Sequence, residues 1–148
     1  MRTPVNVSRT ALIALSVLVV ACSAGGTTSI TPSAPATRIE VNLTDALQME
    51  PATMTVPAGV PVTFVVTNVG AIDHEFYLGD EKAQADHEQE MLSMGGMMHD
   101  EAEGIALDPG ETKELTYTFA QPGAILAGCH VAGHYAGGMK ASIAVAAQ

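Results

Sequence analysis

Twelve residues near the C-terminus, Gly128 to Met139, read GCHVAGHYAGGM and restrict the fold more than any other stretch of the chain. They carry a thiol, an imidazole and a thioether at Cys129, His134 and Met139, in a C-x4-H-x4-M spacing. Three such donors converge only if the segment curls back on itself, so it reads as a tight loop on a rigid scaffold. Gly133, Gly137 and Gly138 permit that curl. With one further histidine the donors become two imidazoles, a thiolate and a weak axial thioether. That set suits an electron-transfer copper centre, whose geometry must serve both oxidation states. The fourth ligand has to come from upstream. His74 is the best candidate, because it follows a β-branched run and opens the segment HEFYL.

The N-terminal stretch reads as separate from this scaffold. Arg2 and Arg9 precede Ala11 to Val20, which is apolar except for Ser16, and Ala21-Cys22 follows. A positive leader, a short apolar run and a small residue before the cut describe a secretory signal over residues 1–21. The run is too short for a comfortable membrane span. Val19-Val20-Ala21-Cys22 resembles a bacterial lipobox. The resemblance implies cleavage before Cys22, lipidation of Cys22 and attachment to a membrane of the bacterial cell envelope. An ordinary secretory signal cut near Ala24 is the alternative. If Cys22 is lipidated, Cys129 is a lone cysteine in an exported protein, and a free thiol in an oxidising compartment needs an occupant. A metal is the obvious one.

Charge narrows the partners. Once residues 1–21 are removed, Arg38, Lys82, Lys113 and Lys140 face sixteen acidic residues, a net of −12. Nucleic-acid binding needs a basic footprint and is not expected here. An acidic surface suits cations or a basic docking partner, and equally serves solubility.

Residues 22–37 are rich in Ser, Thr, Pro, Ala and Gly and read as a flexible tether. The domain is expected over 38–148, and its signals are mostly β. Ile39, Val41 and Leu43 alternate within Arg38 to Leu43. Further strands are expected at Met54–Val56, Val60–Asn68, His74–Leu78, Ile105–Leu107, Lys113–Phe119, Ala124–Cys129 and Lys140–Val145. Pro57-Ala58-Gly59, Asp108-Pro109-Gly110 and Gln121-Pro122-Gly123 supply turns between them. Seven or so short strands predict an all-β protein, a two-sheet sandwich. One insertion, residues 79–104, interrupts it. Asp80 to Met94 lacks Gly and Pro and predicts a short helix stopped by Gly95-Gly96.

Taken together, NVGAIDHEF (Asn68 to Phe76) and GCHVAGHYAGGM resemble the cupredoxins, the blue type 1 copper proteins such as plastocyanin and azurin. The ligand loop is most similar to the C-x4-H-x4-M loop of multicopper oxidases and related small copper proteins. The resemblance covers roughly Arg38 to Val145. It implies a Greek-key β-sandwich and one type 1 copper held by His74, Cys129, His134 and Met139. A structural zinc site is the chemical alternative, although thioether is a poor zinc ligand. Two departures stand out. Many cupredoxins carry Asn after the first histidine, where its side chain ties the ligand loops together; here Glu75 stands in that place, and such bonds tune the metal. Multicopper oxidases have histidines on both sides of the cysteine. Here Gly128 precedes Cys129, and the chain has no H-x-H pair. His130 is therefore expected to point away from the copper as a half-exposed polar residue.

The insertion carries its own soft donors. His87, Met91, Met94 and Met98 recur at intervals of four, three and four, which on a helix would place them on one face. Met97 and His99 lie close by. Thioethers suit Cu(I), so this segment is a candidate second, labile copper site or entry point. Flexible hydrophobic filling against the sandwich is the other reading.

These residues favour a single-copper electron carrier outside the cytoplasm, lipid-anchored, handing electrons to a redox partner protein through the His134 edge. The alternative is copper scavenging, buffering or resistance, with a copper-handling partner and the Met/His insertion as the second site. An enzyme is not expected, since the chain offers no ligands for an oxygen-reducing cluster.

Overall fold

A computed structural model describes residues 37–148; the leader, Cys22 and most of the tether lie outside the described residues. Among the described residues, nine strands and one helix follow in chain order. They are β1 (Thr37–Thr44), β2 (Gln48–Glu50), β3 (Thr53–Pro57), β4 (Pro61–Asn68), β5 (His74–Gly79), α1 (Glu81–Ser93), β6 (Gly104–Leu107), β7 (Thr112–Thr118), β8 (Gly123–Gly128) and β9 (Lys140–Ala146). Two sheets form, with strand orders β2-β1-β4-β7 and β3-β9-β8-β5-β6. The expected sandwich is therefore present, and most expected strands match within a residue or two. β2 is the addition. Three residues are too few to show an alternation, and the strand is set by a turn at Asp45–Leu47 that folds it back on β1.

Alternation explains why the two sheets stack. On β4, Val62, Phe64 and Val66 point inward and are fully buried; on β1, Val41 and Leu43 do the same. Phe76 on β5 and Ile143 on β9 meet them from the other sheet. Phe64 lies at the centre, its ring 5.3 Å from Phe76 and 6.3 Å from Phe119. Mixed pairing closes the scaffold: β1 runs parallel to β4, and β3 parallel to β9, while the remaining pairs are antiparallel.

Two strand ends converge at one edge of this scaffold. β5 runs antiparallel to β8 with Tyr77 opposite Gly128, so the start of β5 meets the end of β8. The loop from Cys129 to Met139 then leads into β9, which pairs with β8.

The insertion is not an appendage. α1 packs against β5 and β8 on the outer side of the five-stranded sheet. Asp80 caps its start by accepting from the Ala83 N–H at 2.8 Å, which satisfies one orphan donor. The helix presents Gln84, His87 and Met91 to the sheet, a mostly polar face. Hydrogen bonds do much of the holding. The Gln84 amide donates to the Tyr77 and Leu126 carbonyls at 3.1 Å each, clamping the helix across both strands. The helix ends at Ser93 with Met94 as its cap, so Met98 does not continue the face expected for His87, Met91 and Met94. Gly95 and Gly96 lie just beyond the end and break the periodicity there.

Candidate metal centre

His74 enters the site because β5 begins there, and its ring is fully buried. Cys129 enters because β8 ends one residue earlier; it is also fully buried, and it is the free cysteine among the described residues. The loop after Cys129 turns on itself through main-chain bonds. His134 N–H donates to Val131 O at 2.8 Å, Gly137 N–H to Gly133 O at 2.9 Å and Gly138 N–H to Tyr135 O at 3.0 Å. Gly133 and Gly138 supply the left-handed backbone these turns need, at φ 84° and 98°. Met139 closes the loop: its N–H donates to His134 O at 3.0 Å and its carbonyl accepts from Cys129 N–H at 3.2 Å. Its side chain is buried with the core.

The result is a three-residue cluster. One donor atom from each of His74, Cys129 and His134 lies within 4.8 Å of the others. Both imidazoles turn Nδ1 toward the sulfur, His134 at 3.4 Å and His74 at 3.9 Å. The rings tilt at 49° with centroids 5.1 Å apart. A thiol, two imidazoles and a buried thioether residue, with no carboxylate in the cluster, are soft to borderline donors that fit copper.

Protonation fits as well. Burial, and then the neighbouring His74, holds His134 below the ordinary imidazole range, so it is neutral and able to ligate. Burial pushes the Cys129 thiol up to about 12, against the pull of the Glu75 and Val131 main-chain N–H groups. The metal-free protein therefore holds a thiol, and metal entry must expel its proton. The unfolded chain loses that proton in the ordinary thiol range, where it then binds fewer protons than the folded chain. Stability of the metal-free protein should thus fall as pH rises from about 9 toward about 12. Urea midpoints across this range should fall more steeply for wild type than for Cys129→Ser; equal slopes would contradict the assignment.

Residues around the cluster complete it in ways the motif did not indicate. The Asp45 carboxylate accepts from Ala71 N–H at 2.8 Å and lies 3.4 Å from His74 Nε2, which makes no hydrogen bond. The Ala71 N–H bond holds the Asp45 carboxyl below its usual range, with His74 adding to the effect. No sequence signal pointed to Asp45, which sits in a turn some thirty residues from His74.

Glu75 answers the departure noted after His74. It is 1% exposed; its N–H donates to Cys129 Sγ at 3.3 Å, and its carboxylate accepts from the His130 N–H at 3.1 Å. The second oxygen pairs with His87 Nε2 at 2.8 Å. The available signal was a carboxylate inside an otherwise apolar strand.

His130 requires a correction. It does lie outside the three-residue cluster, but it is 2% exposed rather than half-exposed. Its ring bonds to Gln84 Oε1 at 2.7 Å and to Glu88, and stacks on Tyr135. The reason is α1, which covers it. The same helix explains Gly128: a Cβ there would collide with the Gln84 amide oxygen and approach the Tyr135 ring to 2.8 Å.

The insertion's methionines are dispersed. His87 and Met91 lie on the buried face of α1, whereas Met94 and Met97 are exposed and Met98 and His99 are partly so. His99 stays outside the Cys129 cluster but approaches the helix: its ring centroid lies 6.5 Å from that of His87, and Glu101 faces both imidazoles, 3.3 Å from His87 Nδ1 and 4.0 Å from His99 Nε2.

A β-sandwich with a buried His-Cys-His cluster at one edge defines a cupredoxin. The sequence comparison is more specific: residues 36–146 match the model of the copper binding proteins of the plastocyanin/azurin family, and the chain belongs to that family. Curated relatives include the copper-resistant cuproprotein CopI of Rubrivivax gelatinosus, 34% identical over 72% of this chain and 65% of that protein. The CopI of Pseudomonas aeruginosa is 33% identical over 72% of this chain and 75% of that protein, and the Vibrio cholerae CopI is 40% identical over 55% and 48%. The chain thus spans about two thirds or less of two of these relatives. Among solved structures, the auracyanin of Roseiflexus castenholzii superposes with a TM-score of 0.67 at 28% identity, covering 75% of this chain and 98% of that one. Auracyanin A of Chloroflexus aurantiacus, a "blue" copper protein, gives 0.62 at 28%, covering 74% and 98%.

Proposed function

We propose that this protein handles copper outside the cytoplasm as part of copper resistance, and that His74, Cys129, His134 and Met139 would hold one type 1 copper. The observation that carries this reading is the set of CopI relatives, copper-resistant cuproproteins matched across the copper domain. Geometry supports it: the ligand cluster is buried and preformed, and two imidazoles turn Nδ1 toward the thiol sulfur. The exposed Met94 and Met97, with Met98 and His99, offer soft donors for a labile Cu(I) beyond the helix end. Met91 is buried on the inner face of α1, whereas the His87 ring already lies 6.5 Å from that of His99, with Glu101 facing both.

The electron-carrier reading rests on a different observation, the fold shared with the blue copper auracyanins. In it, His134 passes electrons to a redox partner protein at the loop edge. Neither role makes the protein an enzyme. The lipobox-like end of the leader supports export and lipidation at Cys22, which would place the domain on a membrane of the cell envelope.

Deletion of the gene, with complementation by wild type and by Cys129→Ser, separates the readings. Copper handling predicts copper-sensitive growth rescued by wild type alone. Unchanged copper tolerance, together with rapid reversible electron exchange with a cell-envelope donor, would instead establish the carrier.

A further inference from the structure

We propose that Glu75 is a positioning residue for the copper loop and that helix α1 holds it in place through His87, so that the insertion and the copper centre behave as one unit. The proposal rests on the reading of Cys129 as a copper ligand.

Glu75 grips the loop twice. Its main-chain N–H reaches Cys129 Sγ at 3.3 Å, and its carboxylate accepts from the main-chain N–H of His130, the next residue. The first contact acts on the sulfur; the second fixes the peptide that follows it. A single residue therefore sets both where the thiolate sits and how its lone pairs are occupied.

A buried carboxylate needs a partner for each oxygen. The second oxygen finds His87 Nε2 at 2.8 Å. That imidazole is 2% exposed and cannot swing, because it stacks flat on Tyr77 with centroids 3.9 Å apart and planes 2° apart. An Asn at this position has one acceptor oxygen, enough for the loop alone. The longer carboxylate has two, and the additional one reaches the insertion. Gln84 makes a parallel tie, donating to strands β5 and β8 while its oxygen meets the His130 ring. α1 thus contacts both residues that grip or follow Cys129, although it supplies none of the clustered donors.

Partners at this distance from a metal change affinity by about 10- to 100-fold when removed. Glu75→Ala should weaken copper binding within that range. It should also shift the thiolate-to-copper absorption band and the copper hyperfine splitting. Glu75→Gln keeps an oxygen for the His130 N–H and an amide for His87, and should restore both signatures. His87→Ala touches no ligand, yet should shift the band in the same direction by less.

The metal-free protein gives a second readout. The His130 amide proton should resonate downfield and exchange slowly in wild type and Glu75→Gln, and lose both properties in Glu75→Ala. His87→Ala should weaken both, and it decides the matter where Glu75→Ala does not fold. Suppose instead that the variants lower thermal stability but leave the band, the hyperfine splitting and the His130 amide at wild-type values. Glu75 then only fills space, and the proposal is overturned. Failure of wild type to bind copper would remove the functional reading, while the His130 amide in metal-free protein would still decide this one.

Discussion

Cys129→Ser should leave a folded protein that has lost its intense visible absorption with copper and binds the metal more weakly by orders of magnitude. The side chain is fully buried, and both flanking Nδ1 atoms point at its sulfur. Serine is nearly isosteric, so the sandwich tolerates it. Its hydroxyl, however, does not ionise near neutral pH and is a hard donor where a soft one is required. Without the thiolate no sulfur-to-copper charge transfer exists. Two imidazoles and a thioether then remain, a poor set for Cu(II). Competition against a chelator of known affinity, followed by absorption, checks both parts. A variant that keeps the band would place the thiolate elsewhere, and Cys22 is the other cysteine of the chain.

Phe64→Ala should cost about 3–5 kcal/mol, as truncation of a fully buried aromatic does. The ring is at the centre of the sandwich, between Phe76 on the opposite sheet and Phe119. Its loss opens a void that neither sheet can close, because β4 is held on both sides by β1 and β7. With a total stability of ~5–15 kcal/mol for a small domain, the metal-free variant should be largely destabilised. Copper should recover part of the loss, since it binds only the folded form. Urea unfolding of metal-free and copper-loaded protein measures both effects. A loss under about 1 kcal/mol would mean the core does not pack around Phe64.

Much of this structure was legible because it is local. Strands such as KELTYTF alternate, turns such as Asp108-Pro109-Gly110 punctuate them, and the C-x4-H-x4-M loop states its own chemistry in order. His74 was placed by its position at the start of a strand, and the structure sets it against Cys129. What could not be read is what α1 does. Its buried face is Gln84, His87 and Met91, so no apolar stripe announces that it packs on the sheet. Once it does, His130 is covered, Gly128 has no room for a side chain, and Glu75 acquires a partner. These consequences follow from a long-range contact that spacing along the chain does not encode. The methionine repeat misled for the complementary reason. Its period continues past Ser93, but Gly95 and Gly96 end the helix before the face is complete.

The central claim is that His74, Cys129 and His134 hold one copper through a thiolate. Absorption and EPR spectra of the purified protein, titrated with Cu(II), test it most directly. One equivalent should produce an intense visible thiolate-to-copper band, with the narrow copper hyperfine splitting of a covalent copper–sulfur bond. A colourless protein with the wide splitting of a tetragonal nitrogen and oxygen site, even at full copper occupancy, would contradict it.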